Sequence, residues 1–98
     1  MRTGSGMNTN EVAMTDRARM EISVYPLGTG DASITKHIAS IFDILESCGL
    51  TYQITVMGTI VEGTVHDLFA LAERLHDTVF TDGVHRVVTT IKIDERRQ

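Results

Sequence analysis

The stretch TYQITVMGTIVEG at residues 51–63 decides the fold, because it places two extended runs in succession in the middle of the chain. Tyr52, Ile54 and Val56 alternate with Gln53, Thr55 and Met57, and this period of two is typical of a strand. The run at 59–62 follows Gly58 directly, so we expect it to pair with the first run as a β-hairpin. The sequence therefore predicts two consecutive antiparallel strands here.

Helical periodicity flanks this hairpin on both sides. The first predicted helix runs from a cap at Asp31 or Ser33 to a stop at Gly49. The second begins at Thr64, which forms a capping-box-like pair with Asp67, and ends at Gly83. The predicted apolar stripes are Ile34, Ile38, Ile41, Phe42 and Leu45 in the first helix, and Val65, Leu68, Phe69, Ala72, Leu75 and Val79 in the second.

Two further strands complete the pattern at the outer ends. Residues 20–25 alternate and are followed by Pro26 and the loop 27–30, whereas residues 85–94 alternate to the end of the domain. The element order is βαββαβ, which predicts an α+β, ferredoxin-like fold with a four-stranded antiparallel sheet and both helices on one face. The right-handed crossover rule predicts the first and third strands at the centre and the second and fourth at the edges.

One face of this sheet is left uncovered by helices in the predicted arrangement. Its predicted residues are Glu21, Ser23, Tyr25, Gln53, Thr55, Met57, Arg86, Val88, Thr90 and Lys92. An antiparallel sheet can show such a face to water. Tyr25, Met57 and Val88 are larger and more apolar than a solvated face requires, which favours packing against another subunit. The long last strand is a second candidate for pairing between subunits, through its edge.

The first nineteen residues lack sustained periodicity, so we predict a mobile leader at 1–19 and one ferredoxin-like domain at 20–98. Met7, Met14 and Met20 are each a possible start.

The composition argues against two kinds of partner, nucleic acid and membrane. The net charge of −4 gives no general attraction for nucleic acid, and no apolar run reaches the 18 or more residues that cross a membrane. The single cysteine, Cys48, cannot form an intramolecular disulfide, which is in keeping with a cytoplasmic setting.

Few residues suggest catalysis or metal binding. No histidine pair has the spacing of a zinc motif, Cys48 lies at a predicted helix C-terminus, and no acid–base pair or catalytic triad can be argued from spacing. We therefore predict no metal, no cofactor and no catalytic residue. Glu62 could either favour the following helix N-terminus or accept hydrogen bonds from a ligand, and Tyr25 could either pack between subunits or stack on a ligand.

Three segments together resemble the thiamine-binding protein family: 26–29 (PLGT), 57–63 (MGTIVEG) and 86–94 (RVVTTIKID). The resemblance covers roughly residues 20–97. It implies a cytoplasmic protein that binds thiamine or its hydroxymethylpyrimidine moiety, forms a dimer or tetramer, and has no established catalytic activity.

The residues that could contact such a ligand follow from the same resemblance and from the chemistry of thiamine, which combines a cationic thiazolium with a hydrogen-bonding aminopyrimidine. The candidate binding residues are Tyr25, Gly28, Thr29, Met57, Thr59, Glu62, Thr89 and Thr90. Alternation places Thr89 on the helix-covered face. Arg86 and Lys92 would repel a thiazolium and suit subunit contacts or a phosphate better. The alternative function is a structural or regulatory oligomerisation module without a small-molecule ligand.

Overall fold

The chain folds into a four-stranded sheet with two helices, and a computed structural model describes residues 17–28, 32–80 and 84–97. The elements are β1 (Ala18–Leu27), α1 (Ala32–Ser47), β2 (Thr51–Thr55), β3 (Gly58–Gly63), α2 (Val65–Thr78) and β4 (Arg86–Glu95). The predicted βαββαβ order and ferredoxin-like class are confirmed.

The strands lie in the order β2-β3-β1-β4, and all neighbours are antiparallel. The prediction that the first and third strands are central is therefore confirmed. β1 pairs with β4 from Ala18 to Leu27, but with β3 only from Ala18 to Ile22. Beyond Ile22, β1 is consequently paired on one side only.

Both predicted boundaries of the first strand are wrong. The first strand was expected to start near Met20 and to end at Pro26. It starts at Ala18, which is buried, and it continues through Pro26, which lies opposite Val87 of β4. Proline lacks an N–H group and is tolerated where one side of a strand has no partner.

Both helices pack on the same face of the sheet and enclose one hydrophobic core. The core residues are Ala18, Met20, Ile22, Leu45, Val61, Leu68, Leu71, Ala72 and Leu75. The predicted stripe of α2 is wrong at Phe69, which is 54% exposed, and it omitted Leu71, which is buried. In α1, Ile38 and Phe42 are also exposed, whereas Leu45 is buried as predicted.

The β2–β3 turn comes earlier than predicted, at Val56 and Met57, so these residues do not belong to a strand. The Thr55 hydroxyl donates a hydrogen bond to the Gly58 carbonyl at 2.8 Å and accepts one from the Met57 N–H at 3.1 Å. Gly58 has a φ of 147°. A side chain would be strained in this conformation, so glycine suits the turn.

The predicted capping at the start of α2 is confirmed, because Thr64 Oγ1 accepts a hydrogen bond from the Asp67 N–H at 3.1 Å. At the start of α1, Ser33 lies within the helix rather than at its cap. Residues 1–16, Asp31 and Gly83, and the side chain of Ile34, lie outside the described part, so the predicted leader and helix ends there stay predictions. Neither described helix is long and apolar enough to span a membrane.

Candidate functional site

A cleft of about 230 Å³ lies between α1 and the sheet. It is beside the stretch of β1 beyond Ile22, which does not pair with β3. The β2–β3 turn forms one wall of this cleft, α1 forms another, and Leu75 of α2 also contributes. The cleft exists because β1 extends beyond the hairpin and leaves a gap that neither helix fills.

The cleft is predominantly apolar. Its apolar lining consists of Ile22, Val24, Ile38, Ile41, Phe42, Ile54, Val56, Met57 and Leu75. Several of these side chains are largely exposed, including Ile38 at 61%, Ile54 at 54% and Met57 at 73%. An exposed apolar surface of this kind is typical of a place where another molecule binds.

Two hydroxyl groups of the lining have no hydrogen-bond partner among the described residues. Thr59 lies on the helix-facing side of β3, directly between Ile22 of β1 and Ile54 of β2. Tyr25 is 54% exposed at the edge of the cleft. Each hydroxyl can therefore donate and accept hydrogen bonds with a bound molecule.

The other two hydroxyl groups of the lining hold the turn in place. Ser23 Oγ donates to the Met57 carbonyl at 3.0 Å, which ties the turn to β1. Thr55 makes the two bonds within the turn that are described above. These contacts fix the position of Met57 and Gly58 relative to β1.

No Asp, Glu, His, Lys, Arg or Cys is found among the described residues that line the cleft. Likewise, no group of three or more His, Cys, Asp and Glu side chains that could hold a metal ion occurs in the described part of the chain. The arrangement can enclose a flat, mostly apolar group and hydrogen-bond to its polar edge.

Comparison with known proteins places the chain in a family. A family model described as "Thiamine-binding protein" matches residues 20–98. The chain belongs to the thiamine-binding protein family. The resemblance seen in the sequence is thereby confirmed.

Relatives in this family agree in sequence and in fold. The UPF0045 protein YqgV of Bacillus subtilis is 38% identical over 81 residues, which cover 79% of this chain and 78% of the relative. The crystal structure of protein MJ1052 of Methanocaldococcus jannaschii is 34% identical, has a TM-score of 0.74 and covers 84% of this chain and 82% of the other.

A Thermotoga maritima protein named as a candidate for thiamine biosynthesis or salvage has a TM-score of 0.70 at 21% identity, covering 82% of this chain and 84% of the other. At this level of identity, the likeness shows the fold alone.

The structure brings together three of the predicted ligand residues of this thiamine-binding family member. Tyr25, Met57 and Thr59 all line the cleft. Gly28 follows the end of β1 with a φ of 76°, and Thr29 lies outside the described residues. These three are the predicted residues that lie together in one cleft within a single subunit.

Glu62 does not belong to this group. It lies on the uncovered face of β3, three residues and roughly 10 Å along the strand from Thr59. Its carboxylate accepts a hydrogen bond from the Arg19 guanidinium at 3.0 Å and lies in a depression shared with Arg17, Arg96 and Asp94. Within one subunit, Glu62 and the cleft are separate surfaces.

Thr89 and Thr90 also lie away from the cleft. Thr89 Oγ1 is 2.7 Å from His76 Nδ1 on the helix-covered side, as alternation predicted for its face. Thr90 is exposed on the uncovered face opposite Ser23. Neither hydroxyl lines the site formed by Thr59 and Tyr25.

Sequence reasoning missed most of the cleft wall. Ile38, Ile41 and Phe42 were assigned to the core stripe of α1, and Ile54 to the core face of its strand. The sequence did contain one signal for this wall, namely the width of the apolar stripe of α1. The stripe has more apolar side chains than the helix needs to cover its contact with the sheet.

One histidine of α1, His37, is buried. His37 is 3% exposed, and neither of its ring nitrogens has a hydrogen-bond partner in the described ranges. Cys48, just after the end of α1, contacts the core, and its thiol donates to the Leu45 carbonyl at 3.1 Å.

Proposed function

We propose that this protein binds thiamine or its hydroxymethylpyrimidine moiety without transforming it. The observation that carries this proposal is the Thr59 hydroxyl, which lies between two isoleucines in an apolar cleft and has no hydrogen-bond partner in the described part of the chain. Membership in the thiamine-binding protein family supports the choice of ligand.

The cleft suits an aminopyrimidine ring in chemical character. Such a ring has apolar faces, which the isoleucines and Phe42 can cover, and a polar edge, which the Thr59 hydroxyl can meet. Tyr25 at the rim offers an aromatic face to the cationic thiazolium of thiamine. Burying the ring would also cover apolar side chains that are otherwise exposed to water.

The size of the cleft favours the pyrimidine half of thiamine as the enclosed part. Its volume of about 230 Å³ is below the ~300–1,000 Å³ typical of sites that enclose drug-sized molecules. A single ring with small substituents fits this space, and the thiazolium would then extend towards Tyr25 and Met57.

Binding rather than catalysis is the better proposal for this cleft. General acid–base chemistry needs a titratable side chain within hydrogen-bond reach of the reacting group. Tyr25 is the one titratable side chain in the described lining, and it lies at the exposed rim.

As part of the same proposal, the protein acts in the cytoplasm as a homo-oligomer, either a dimer or a tetramer, without a nucleic-acid or membrane partner. Exposed Tyr25 and Val88 on the uncovered sheet face support association, and the net charge of −4 argues against nucleic acid. A module that only assembles is the second candidate function, and the same exposed face favours it.

Thermal unfolding with and without ligand tests the proposal. Thiamine, thiamine phosphates and hydroxymethylpyrimidine are each added, and a ligand at 100 times its Kd is expected to raise the free energy of unfolding by about 2.7 kcal/mol. Thiazole alcohol, which lacks the pyrimidine ring, serves as the matched control.

The same experiment separates the two candidate functions. A module that only assembles would show a Tm that rises with protein concentration and does not respond to any of the ligands. Absence of a shift at millimolar ligand would contradict the binding proposal.

A further inference from the structure

A second depression lies on the uncovered face, at the end of the sheet where β1 begins and β4 ends. It has a volume of about 380 Å³ and is lined by Arg17, Ala18, Arg19, Glu62, Asp94 and Arg96. Apart from the alanine, every described residue of this lining carries a charge, which distinguishes the depression from the apolar cleft. Three of the nine lysines and arginines lie around it, in a chain whose net charge is −4.

The carboxylates of this depression belong to a row of charges that is largely balanced within the sheet. Arg19 lies opposite Glu62 of β3 and opposite Asp94 of β4, so one cation stands between two carboxylates. The Arg19 guanidinium donates a hydrogen bond to the Glu62 carboxylate at 3.0 Å. This cation therefore offsets much of the repulsion that Glu62 would exert on an anion nearby.

The next row of charges consists of two arginines. The last pair of β1 with β4 is Ala18 with Glu95, and continuing this register by one residue places Arg17 opposite Arg96. Neither arginine forms an ion pair with any described residue, whereas Arg97 lies 3.0 Å from Glu95. Like charges directly opposite each other destabilise a sheet, and an anion between the two guanidinium groups would remove this repulsion.

A phosphate group matches this arrangement in charge and in geometry. Three arginines and two carboxylates give the depression a net charge of +1, and its positive end lies at Arg17 and Arg96. A guanidinium presents its N–H groups as a planar fork, which can donate two parallel hydrogen bonds to one phosphate. A nucleic acid would engage a longer series of cations, whereas two opposed arginines suit a single phosphate group.

We propose that Arg17 and Arg96 bind a phosphate group, supplied either by inorganic phosphate or by a phosphate monoester, with Arg19 as the third cation. The site lies on the uncovered face of the sheet, away from the Thr59 hydroxyl on the helix side. This inference is therefore independent of the proposed function of the cleft.

An NMR titration of the arginine side-chain Nε–Hε groups with inorganic phosphate, at constant ionic strength, tests the site. Saturable changes are expected at Arg17 and Arg96, and little change is expected at Arg97, which does not line the depression. The methyl groups of Ile22 and Ile54, which line the cleft, are expected to stay unchanged. Similar changes at all arginines, or no saturable change at millimolar phosphate, would overturn the site.

Charge-removing variants test the same site by isothermal titration calorimetry. Arg17→Gln and Arg96→Gln are each expected to raise the Kd for phosphate about tenfold or more, because each removes charge-assisted hydrogen bonds. Asp94→Asn is expected to lower the Kd about threefold, because it removes a negative charge from the depression. Arg97→Gln is the matched control, with the same loss of charge outside the depression, and its Kd is expected to stay nearly unchanged.

The variants also give results that would contradict the proposal. An Arg96→Gln protein that binds phosphate as tightly as the parent would overturn it. Equal losses in the Arg96 and Arg97 variants would overturn it as well, because they would indicate a general effect of net charge.

The two sources of phosphate are distinguished by comparing inorganic phosphate with glycerol phosphate. Tighter binding of glycerol phosphate would assign the site to a monoester, and tighter binding of inorganic phosphate would assign it to the free ion. Chloride that competes as strongly as sulfate at the same ionic strength would overturn the proposal, because chloride cannot accept a pair of parallel hydrogen bonds. A protein that binds phosphate here but no pyrimidine would overturn the proposed function alone.

Discussion

Replacing Gly58 by alanine is expected to lower the free energy of unfolding by about 2–4 kcal/mol. A Cβ atom at this position would lie 2.6 Å from Ser23 Oγ and 2.8 Å from the Ile22 carbonyl oxygen. The second of these atoms belongs to the backbone of a central strand and cannot move aside cheaply. The φ of 147° adds backbone strain for any side chain. Urea denaturation of the two proteins measures the difference.

Gly49→Ala is the matched control for this prediction. Gly49 also has a positive φ, of 79°, but nothing lies within 4 Å of a Cβ atom there. We expect a loss of only about 1–2 kcal/mol from backbone strain. If both variants lost the same stability, the close approach of the turn to β1 would not be the reason that residue 58 is glycine.

Replacing Thr59 by valine is expected to raise the Kd for hydroxymethylpyrimidine about 10–100-fold. The change preserves the shape of the side chain but removes the hydroxyl that we assign to the polar edge of the ring. A ligand group left without its hydrogen-bond partner in a desolvated site costs about 1–3 kcal/mol, and every 1.4 kcal/mol is a tenfold change in affinity. Isothermal titration calorimetry measures the Kd of each protein.

Thr90→Val is the control for the ligand measurement, because it removes the same hydroxyl from an exposed position outside the cleft. We expect its Kd to match that of the parent protein. Equal affinities for the Thr59 variant and the parent would show that the hydroxyl does not contact the ligand. Weaker binding by the Thr90 variant alone would indicate that the ligand binds on the uncovered face of the sheet instead.

The fold followed from the sequence because each element buries one face. Alternation at 52–62 and 85–94 and the Thr64–Asp67 cap predicted the element order, and the crossover rule predicted the strand order. The misplaced C-terminal end of β1 has a tertiary cause, since β1 continues beyond its pairing with β3 and Pro26 is tolerated where one side of the strand has no partner.

Three residues that line the cleft were among the predicted ligand contacts. Tyr25, Met57 and Thr59 came from the family resemblance, and the structure brings them together. Its apolar wall was not predicted, because helical spacing groups Ile38 with Leu45 and cannot tell which of the two the sheet covers. Glu62 is close to Thr59 in the chain, but the two side chains point to opposite faces of β3.

The central claim is that the cleft beside Thr59 binds the pyrimidine ring, and a methyl NMR titration with hydroxymethylpyrimidine tests it most directly. The account predicts saturable chemical-shift changes at the methyl groups of Ile22, Ile54 and Thr59, which line the cleft. It predicts little change at Thr51 and Ile60, which lie beside Glu62 on the uncovered face. Changes confined to Thr51 and Ile60, or no saturable change at any of these groups, would contradict it.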